Sequence, residues 1–156
     1  MCSAPLKRVP IENSDKPCDT GSPVACLKLE FPRIDLDAVD PVWPDKTTSA
    51  GKHYAYTRAA ILARGKRCLE ELSRRPEKLV LVVSHAGFLR LGVAGYWWTN
   101  ADYRIFDFKE TAGDGPRLKQ DESTLPGGLG LSWTDSVELG SDLPEEDPDA
   151  IRPGEP

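Results

Sequence analysis

The chain has 156 residues and a formal net charge of −5, and this charge is distributed unevenly. Residues 110 to 156 carry twelve acidic and three basic side chains, a net of −9, whereas residues 1 to 109 carry thirteen acidic and seventeen basic ones, a net of +4. A weakly basic body suits an anionic small molecule and argues against nucleic acid, and the lack of an apolar run of about eighteen residues argues against a membrane partner.

The cysteines and the amino terminus give no sign of a metal site or of export. Neither histidine lies near a cysteine in sequence and no CxxC pair occurs, so we expect free thiols and no metal, and no cofactor is predicted. No apolar core follows Lys7 and Arg8, so a signal peptide is not expected and the protein is predicted to be cytoplasmic. The four cysteines are Cys2, Cys18, Cys26 and Cys68.

The first third of the chain is predicted to be largely irregular. Residues 1 to 10 are polar and predict a flexible amino terminus, and residues 32 to 50 predict a long loop rich in proline and aspartate. Between these segments, residues 19 to 23 predict a turn that caps a short helix at 24 to 31.

The middle of the chain contains the strongest signals for regular structure. Apolar side chains recur at spacings of three and four from 51 to 75, which predicts a helix. The apolar run at 79 to 84 does not alternate with polar residues, so it predicts the central parallel strand of an α/β sheet. Ligands bind at the carboxyl ends of such strands, which makes His85 a candidate site residue. A helix is predicted at 86 to 96 and an edge strand at 103 to 108.

The tail at 110 to 156 is predicted to be mostly disordered, with 129 to 133 the stretch expected to dock. Thirteen of its 47 residues are glycine or proline, so it offers little burial to offset chain entropy. The remaining chain has one strong and one weaker strand, too few for a doubly wound sheet. The strand at 79 to 84 is therefore expected to lack a neighbour, and self-association through this unpaired sheet edge is predicted.

Four segments carry a family resemblance: residues 11 to 22 (IENSDKPCDTGS), 54 to 59 (YAYTRA), 75 to 90 (RPEK through VSHAGFLR) and 100 to 106 (NADYRIF). In their order and spacing they resemble fungal members of the histidine phosphatase superfamily, which have the phosphoglycerate-mutase-like fold. The resemblance implies an α/β domain with a doubly wound, mostly parallel sheet and flanking helices, here incomplete and limited to residues 11 to 109.

The resemblance also implies a site and a chemistry. Family members transfer or hydrolyse phosphoryl groups through a phosphohistidine in an Arg-His-Gly motif, which this sequence does not contain. His85 matches the second histidine of the family, which hydrogen-bonds the transferring phosphoryl group, and Glu12 matches the acid/base carboxyl. The backbone N–H groups of Ala86 and Gly87 are expected to face the phosphate. A phosphorylated small molecule is thus the expected ligand.

Each of these assignments has an alternative. His85 is also explained as a strand-end histidine bound by backbone, and Glu12 as a solvated loop residue. The chain is expected to be inactive alone because the nucleophile is absent. The alternatives are a non-catalytic anion-binding or partner-dependent protein, and a truncated gene model of an active phosphatase. His53 is predicted to be exposed, and Trp97 and Trp98 to belong to the core.

Overall fold

A computed structural model describes residues 12 to 109 and 115 to 146 of the chain. Its helices are α1 (Val24–Glu30), α2 (Arg58–Ser73) and α3 (Ala86–Phe88), and α3 continues as a π-helix at Leu89–Ala94. Its strands are β1 (Phe106–Lys109) and β2 (Arg117–Gln120), and short 3-10 turns lie at Pro17–Asp19, Lys52–Tyr54 and Glu122–Thr124. The flexible segment predicted at 1 to 10 lies outside the described residues.

The protein is a mixed α/β structure, but its sheet differs from the predicted one. β1 and β2 pair antiparallel, with Phe106 opposite Gln120 and Lys109 opposite Arg117. Across the two described ranges these strands form the whole sheet, so the doubly wound, mostly parallel sheet predicted from the sequence is not formed there. The edge strand predicted at 103 to 108 is confirmed for residues 106 to 108, which lie in β1.

The central strand predicted at 79 to 84 is wrong, because no described strand pairs with this segment. Exposure alternates along it as in an extended chain: Leu79, Leu81 and Val83 are 87%, 84% and 81% exposed, while the valines between them are half-buried. A β-strand is defined by its ladder of hydrogen bonds to a neighbour. The apolar run therefore has the composition of a buried strand, but no partner strand lies within residues 12 to 109 or 115 to 146.

The core lies between α2 and the helix that starts at Ala86. Ile61 and Phe88 are almost completely buried, and Val93 and Leu143 pack with them. The two helices approach closely at Gly65, where a Cβ atom would lie 1.7 Å from the carbonyl oxygen of Gly92. This contact joins backbone to backbone, so it requires a residue without a side chain at position 65.

The predicted helices are confirmed, with shifted ends. α2 begins at Arg58 rather than at 51, because the Thr57 hydroxyl accepts a hydrogen bond from the N–H of Ala60 at 3.2 Å and caps the helix. The helix predicted at 24 to 31 forms as α1, but no side chain caps it, since Pro23 occupies the capping position. The helix predicted at 86 to 96 ends at Gly95, whose φ of +78° is typical of a helix carboxyl end.

The described part of the tail, residues 115 to 146, makes specific contacts with the body, whereas the disorder predicted for most of 110 to 156 stays a prediction. β2 pairs with β1, Leu143 reaches the core, and Trp133 stacks on Trp97 with 5.6 Å between ring centroids. Arg104 donates hydrogen bonds to the carbonyl oxygens of Trp97 and Trp133 at 2.8 and 2.6 Å, and to that of Leu125 at 2.6 Å. Backbone acceptors hold this segment, and composition does not reveal such bonds.

Asp102 makes a second attachment between the tail and the body. Its carboxylate accepts hydrogen bonds from the Ser132 hydroxyl at 2.6 Å and from the N–H of Leu129 at 2.9 Å. Burial alone would raise the pKa of Asp102, but these hydrogen bonds outweigh it and hold the pKa below the ordinary value of 3.8. The charged carboxylate is therefore the form that binds the tail.

We expect acid to release the tail as Asp102 becomes protonated. Because its pKa is lower in the folded state, the stability that it contributes is present above its unfolded pKa of about 4 and is lost as the pH falls through the folded value. Tryptophan fluorescence followed from pH 7 to pH 2 should report separation of Trp97 from Trp133. Asp102→Asn should weaken docking at pH 7 already, whereas Asp107→Asn on exposed β1 should match the wild type. Identical acid profiles for all three proteins would contradict this role.

The cysteines of the described residues are free thiols, as predicted. Cys18 and Cys26 are exposed, whereas Cys68 lies buried on α2. Burial, with a smaller effect of the Glu71 carboxylate, raises the pKa of the Cys68 thiol to about 11. Cys2 lies outside the described residues. Within the described ranges, no helix combines the length and the apolar character needed to cross a membrane.

Candidate functional site

The structure brings together the two residues that the sequence singled out. Nδ1 of His85 lies 2.9 Å from Oε2 of Glu12. His85 has extended backbone angles at the start of α3, and Glu12 arrives from the first described segment. The histidine side chain is 55% exposed and the glutamate side chain 24%, so the pair lies at the surface with the imidazole open to solvent.

Gly87 allows the glutamate to lie against the start of α3. A Cβ atom at position 87 would be 3.3 Å from Oε1 of Glu12 and 3.5 Å from Nδ2 of Asn13. Oε1 also accepts a hydrogen bond from the backbone N–H of Asn13 at 2.8 Å. Both carboxylate oxygens of Glu12 thus have partners, which fixes the carboxylate beside the imidazole.

Lys46 holds the segment that carries Glu12. The lysine is 3% exposed, and its ammonium donates hydrogen bonds to the carbonyl oxygens of Glu12 at 2.9 Å, of Asp19 at 2.7 Å and of Ser14. Burial lowers the pKa of Lys46, and the nearby Arg64 guanidinium lowers it further. All three ammonium protons have backbone acceptors, so this one side chain fixes the curvature of residues 12 to 19.

Asp19 adds a second carboxylate near the pair. Its Oδ2 accepts a hydrogen bond from the Ser14 hydroxyl, which is the main cause of its lowered pKa, and the charge of His85 contributes in the same direction. The imidazole is therefore close to two acidic groups, Glu12 and Asp19.

Arg64 is the second buried cation in this part of the protein. It is 7% exposed, its Nη1 donates to the carbonyl oxygens of His53 at 3.1 Å and Ala55 at 3.3 Å, and its guanidinium lies 5.7 Å from the centre of the Phe88 ring. Burial lowers its pKa to about 10. Arg64 thereby links the 3-10 turn before α2 to the helix that begins beside His85.

The remaining sequence candidates lie where the fold uses them structurally. His53 is not exposed as predicted: its side chain is 25% exposed, and Nε2 lies 3.4 Å from Oδ2 of Asp40. Trp98 is 8% exposed, which confirms it as a core residue, and Trp97 forms the stack with Trp133. Among the described residues, no group of three or more histidine, cysteine or carboxylate side chains is arranged to hold a metal ion.

Sequence reasoning missed Lys46 and Asn13. Asn13 is 5% exposed, and its Oδ1 has no hydrogen-bond partner in the part of the chain that the structure describes. Both residues lie in segments rich in polar residues, where a buried lysine or asparagine has the same local pattern as a solvated one. Only the fold reveals that they position Glu12.

Comparison with protein-family models, with curated proteins and with solved structures finds no match to the chain.

The pair has a definite chemical capacity. The Nδ1–H group of His85 donates to Glu12, which leaves Nε2 on the other side of the ring, and Nε2 makes no hydrogen bond to any described residue. A protonated imidazole held in this way presents one N–H donor outwards, and a neutral one presents a lone pair. The site can therefore bind an oxyanion or accept a proton, depending on the state of His85.

Proposed function

We propose that the protein binds phosphate esters through His85, with Glu12 as the proton-transferring carboxyl, in a site of the histidine phosphatase type. The observation that carries the proposal is the 2.9 Å contact between Nδ1 of His85 and Oε2 of Glu12. The family resemblance names these two residues independently of any distance. Their meeting in space, from segments far apart in the sequence, supports a shared site.

The geometry suits a phosphoryl group at Nε2. With Nδ1 bound to Glu12, the protonated imidazole donates from Nε2 to a phosphoryl oxygen, and such charge-assisted hydrogen bonds are the stronger ones. The N–H groups of Ala86 and Gly87 lie in the first turn of the helix, where backbone N–H groups have no intrahelical acceptor. We propose that these two N–H groups and Nε2 of His85 donate to the same phosphate monoester.

Hydrolysis by the phosphohistidine route needs a nucleophilic histidine, and the sequence offers no Arg-His-Gly motif. The second histidine, His53, lies against Asp40. We therefore propose that the chain binds phosphate esters but does not turn them over alone. The exposed thiols of Cys18 and Cys26 support a reducing location such as the cytoplasm.

Binding can be tested by NMR, because the chain has only two histidines and their ring signals are assigned by substitution. We expect phenyl phosphate to shift the ring resonances of His85 and to leave those of His53 unchanged. Glu12→Gln should retain binding with at least a threefold weaker affinity, because the charge-assisted hydrogen bond that holds Nδ1 of His85 is replaced by a neutral one. His85→Gln should abolish the response.

Phenol release from the same ester tests turnover. The wild type should release no more phenol than His85→Ala, and His53→Gln serves as the matched control for loss of a histidine. Equal ring shifts at both histidines, or none at millimolar ester, would contradict the phosphate site. Turnover that depends on His85 would show instead that the chain is an active enzyme.

A further inference from the structure

The extended segment at 79 to 83 is the most exposed apolar stretch among the described residues. Leu79, Leu81 and Val83 are each more than 80% exposed, and they lie on one face because alternate residues of an extended chain point the same way. The backbone N–H and C=O groups of residues 79 to 83 make no hydrogen bond to any other described residue. A flat apolar segment with free backbone groups is a template for strand pairing.

We propose that this segment pairs antiparallel with the same segment of a second copy of the chain, about a two-fold axis at Leu81. In this register Leu79 lies opposite Val83 of the second copy, Val80 opposite Val82, and the two Leu81 side chains face each other. Every pair between residues 79 and 83 is then apolar. An interface of this kind is self-complementary and closed, so it yields a dimer rather than a fibre.

The ends of the segment select this register. Pro76 has no N–H to donate and Ala86 begins α3, so the ladder can extend from 77 to 85 and no further. A register shifted by two residues would bring a pairing residue opposite the proline or the helix. The centred register alone uses the full length of both copies.

Charge supports the same register. Glu77 of one copy lies opposite His85 of the other, so at each end of the ladder a carboxylate faces an imidazole and no like charges meet. Within its own chain Glu77 already binds Arg75, with Nη2 to Oε1 at 2.9 Å, and His85 binds Glu12. The dimer would therefore place Arg75, Glu77, His85 and Glu12 in a row in which basic and acidic side chains alternate at each end of the ladder.

Sedimentation velocity of the full chain tests the two-fold axis at Leu81, because it measures the equilibrium between monomer and dimer. The wild type should change from a 17.2 kDa monomer to a dimer with a dissociation constant of roughly 10 to 100 µM, as expected for a small interface. Leu81→Lys and Leu81→Glu should each be monomeric at 500 µM, because each puts like charges opposite each other. An equimolar mixture of the two variants should dimerise again, since lysine then faces glutamate.

The matched control uses Leu29 on α1, which is 85% exposed. Leu29→Lys, Leu29→Glu and their mixture should dimerise like the wild type. Circular dichroism should show all variants folded, because both leucines are at the surface. Hydrogen exchange should slow at 79 to 83 in the wild-type dimer. A wild type that stays monomeric at 500 µM, a mixture that does not re-form dimers, or open-ended assemblies in place of dimers would each overturn the proposal.

Discussion

Replacing Lys46 with methionine is expected to lower the free energy of unfolding by about 3 to 5 kcal/mol. The substitution removes the ammonium that binds the carbonyl oxygens of Glu12, Ser14 and Asp19, and it leaves these acceptors without their donor in a buried site. Methionine retains most of the aliphatic chain, so the loss comes from hydrogen bonds and charge rather than from packing.

Urea unfolding monitored by circular dichroism measures this loss. Lys52→Met, at an exposed position in the 3-10 turn before α2, is the control and should change stability by less than about 0.5 kcal/mol. The phosphate response of His85 should weaken in Lys46→Met as well, because the segment that carries Glu12 is no longer held. A stability equal to that of the Lys52 variant would show that water replaces the ammonium at little cost.

Replacing Gly65 with alanine is expected to destabilise the protein by about 3 kcal/mol or more, although alanine favours helices by about 1 kcal/mol over glycine. The new methyl group would lie 1.7 Å from the carbonyl oxygen of Gly92, which is a rigid backbone atom. α2 and the helix beginning at Ala86 would have to move apart, and the core around Ile61 and Phe88 would open.

The sign of the effect makes this test decisive. Thermal unfolding should show a lower Tm for Gly65→Ala, whereas Lys66→Ala, at the exposed neighbouring position, should leave the Tm within a few degrees of the wild type. If Gly65→Ala instead raised the Tm, helix propensity would dominate and the two helices would not be in backbone contact.

Local signals predicted the helices well and the sheet badly. The capping threonine at 57 and the proline at 76 act within a few residues of α2, so sequence periodicity finds this helix and only its start shifts. A strand depends on a neighbour that no local pattern encodes. The apolar run around Leu81 has strong β-forming composition, yet the described chain supplies no strand to pair with it.

The sequence predicted those residues of the candidate site whose side chains match a family motif. Glu12 and His85 were predicted from the family resemblance. The sequence around each residue does not show that the two side chains are in contact. Lys46 and Arg104 act on backbone carbonyls, which every residue has, so nothing in the bound segments marks them in advance. For the same reason a tail rich in glycine and proline can dock despite a composition typical of disorder.

The buried thiol of Cys68 on α2 reports how often this helix opens. Because the pKa of Cys68 is raised to about 11 and its sulfur is covered, almost no thiolate is available at neutral pH while the helix is closed. Cys18 and Cys26 should consume an alkylating reagent at once, and the later, slow uptake of a further equivalent by Cys68 should count how often α2 opens. Mass spectrometry that follows the alkylation of each thiol over time would thus measure the rate of local unfolding around Cys68 without any denaturant.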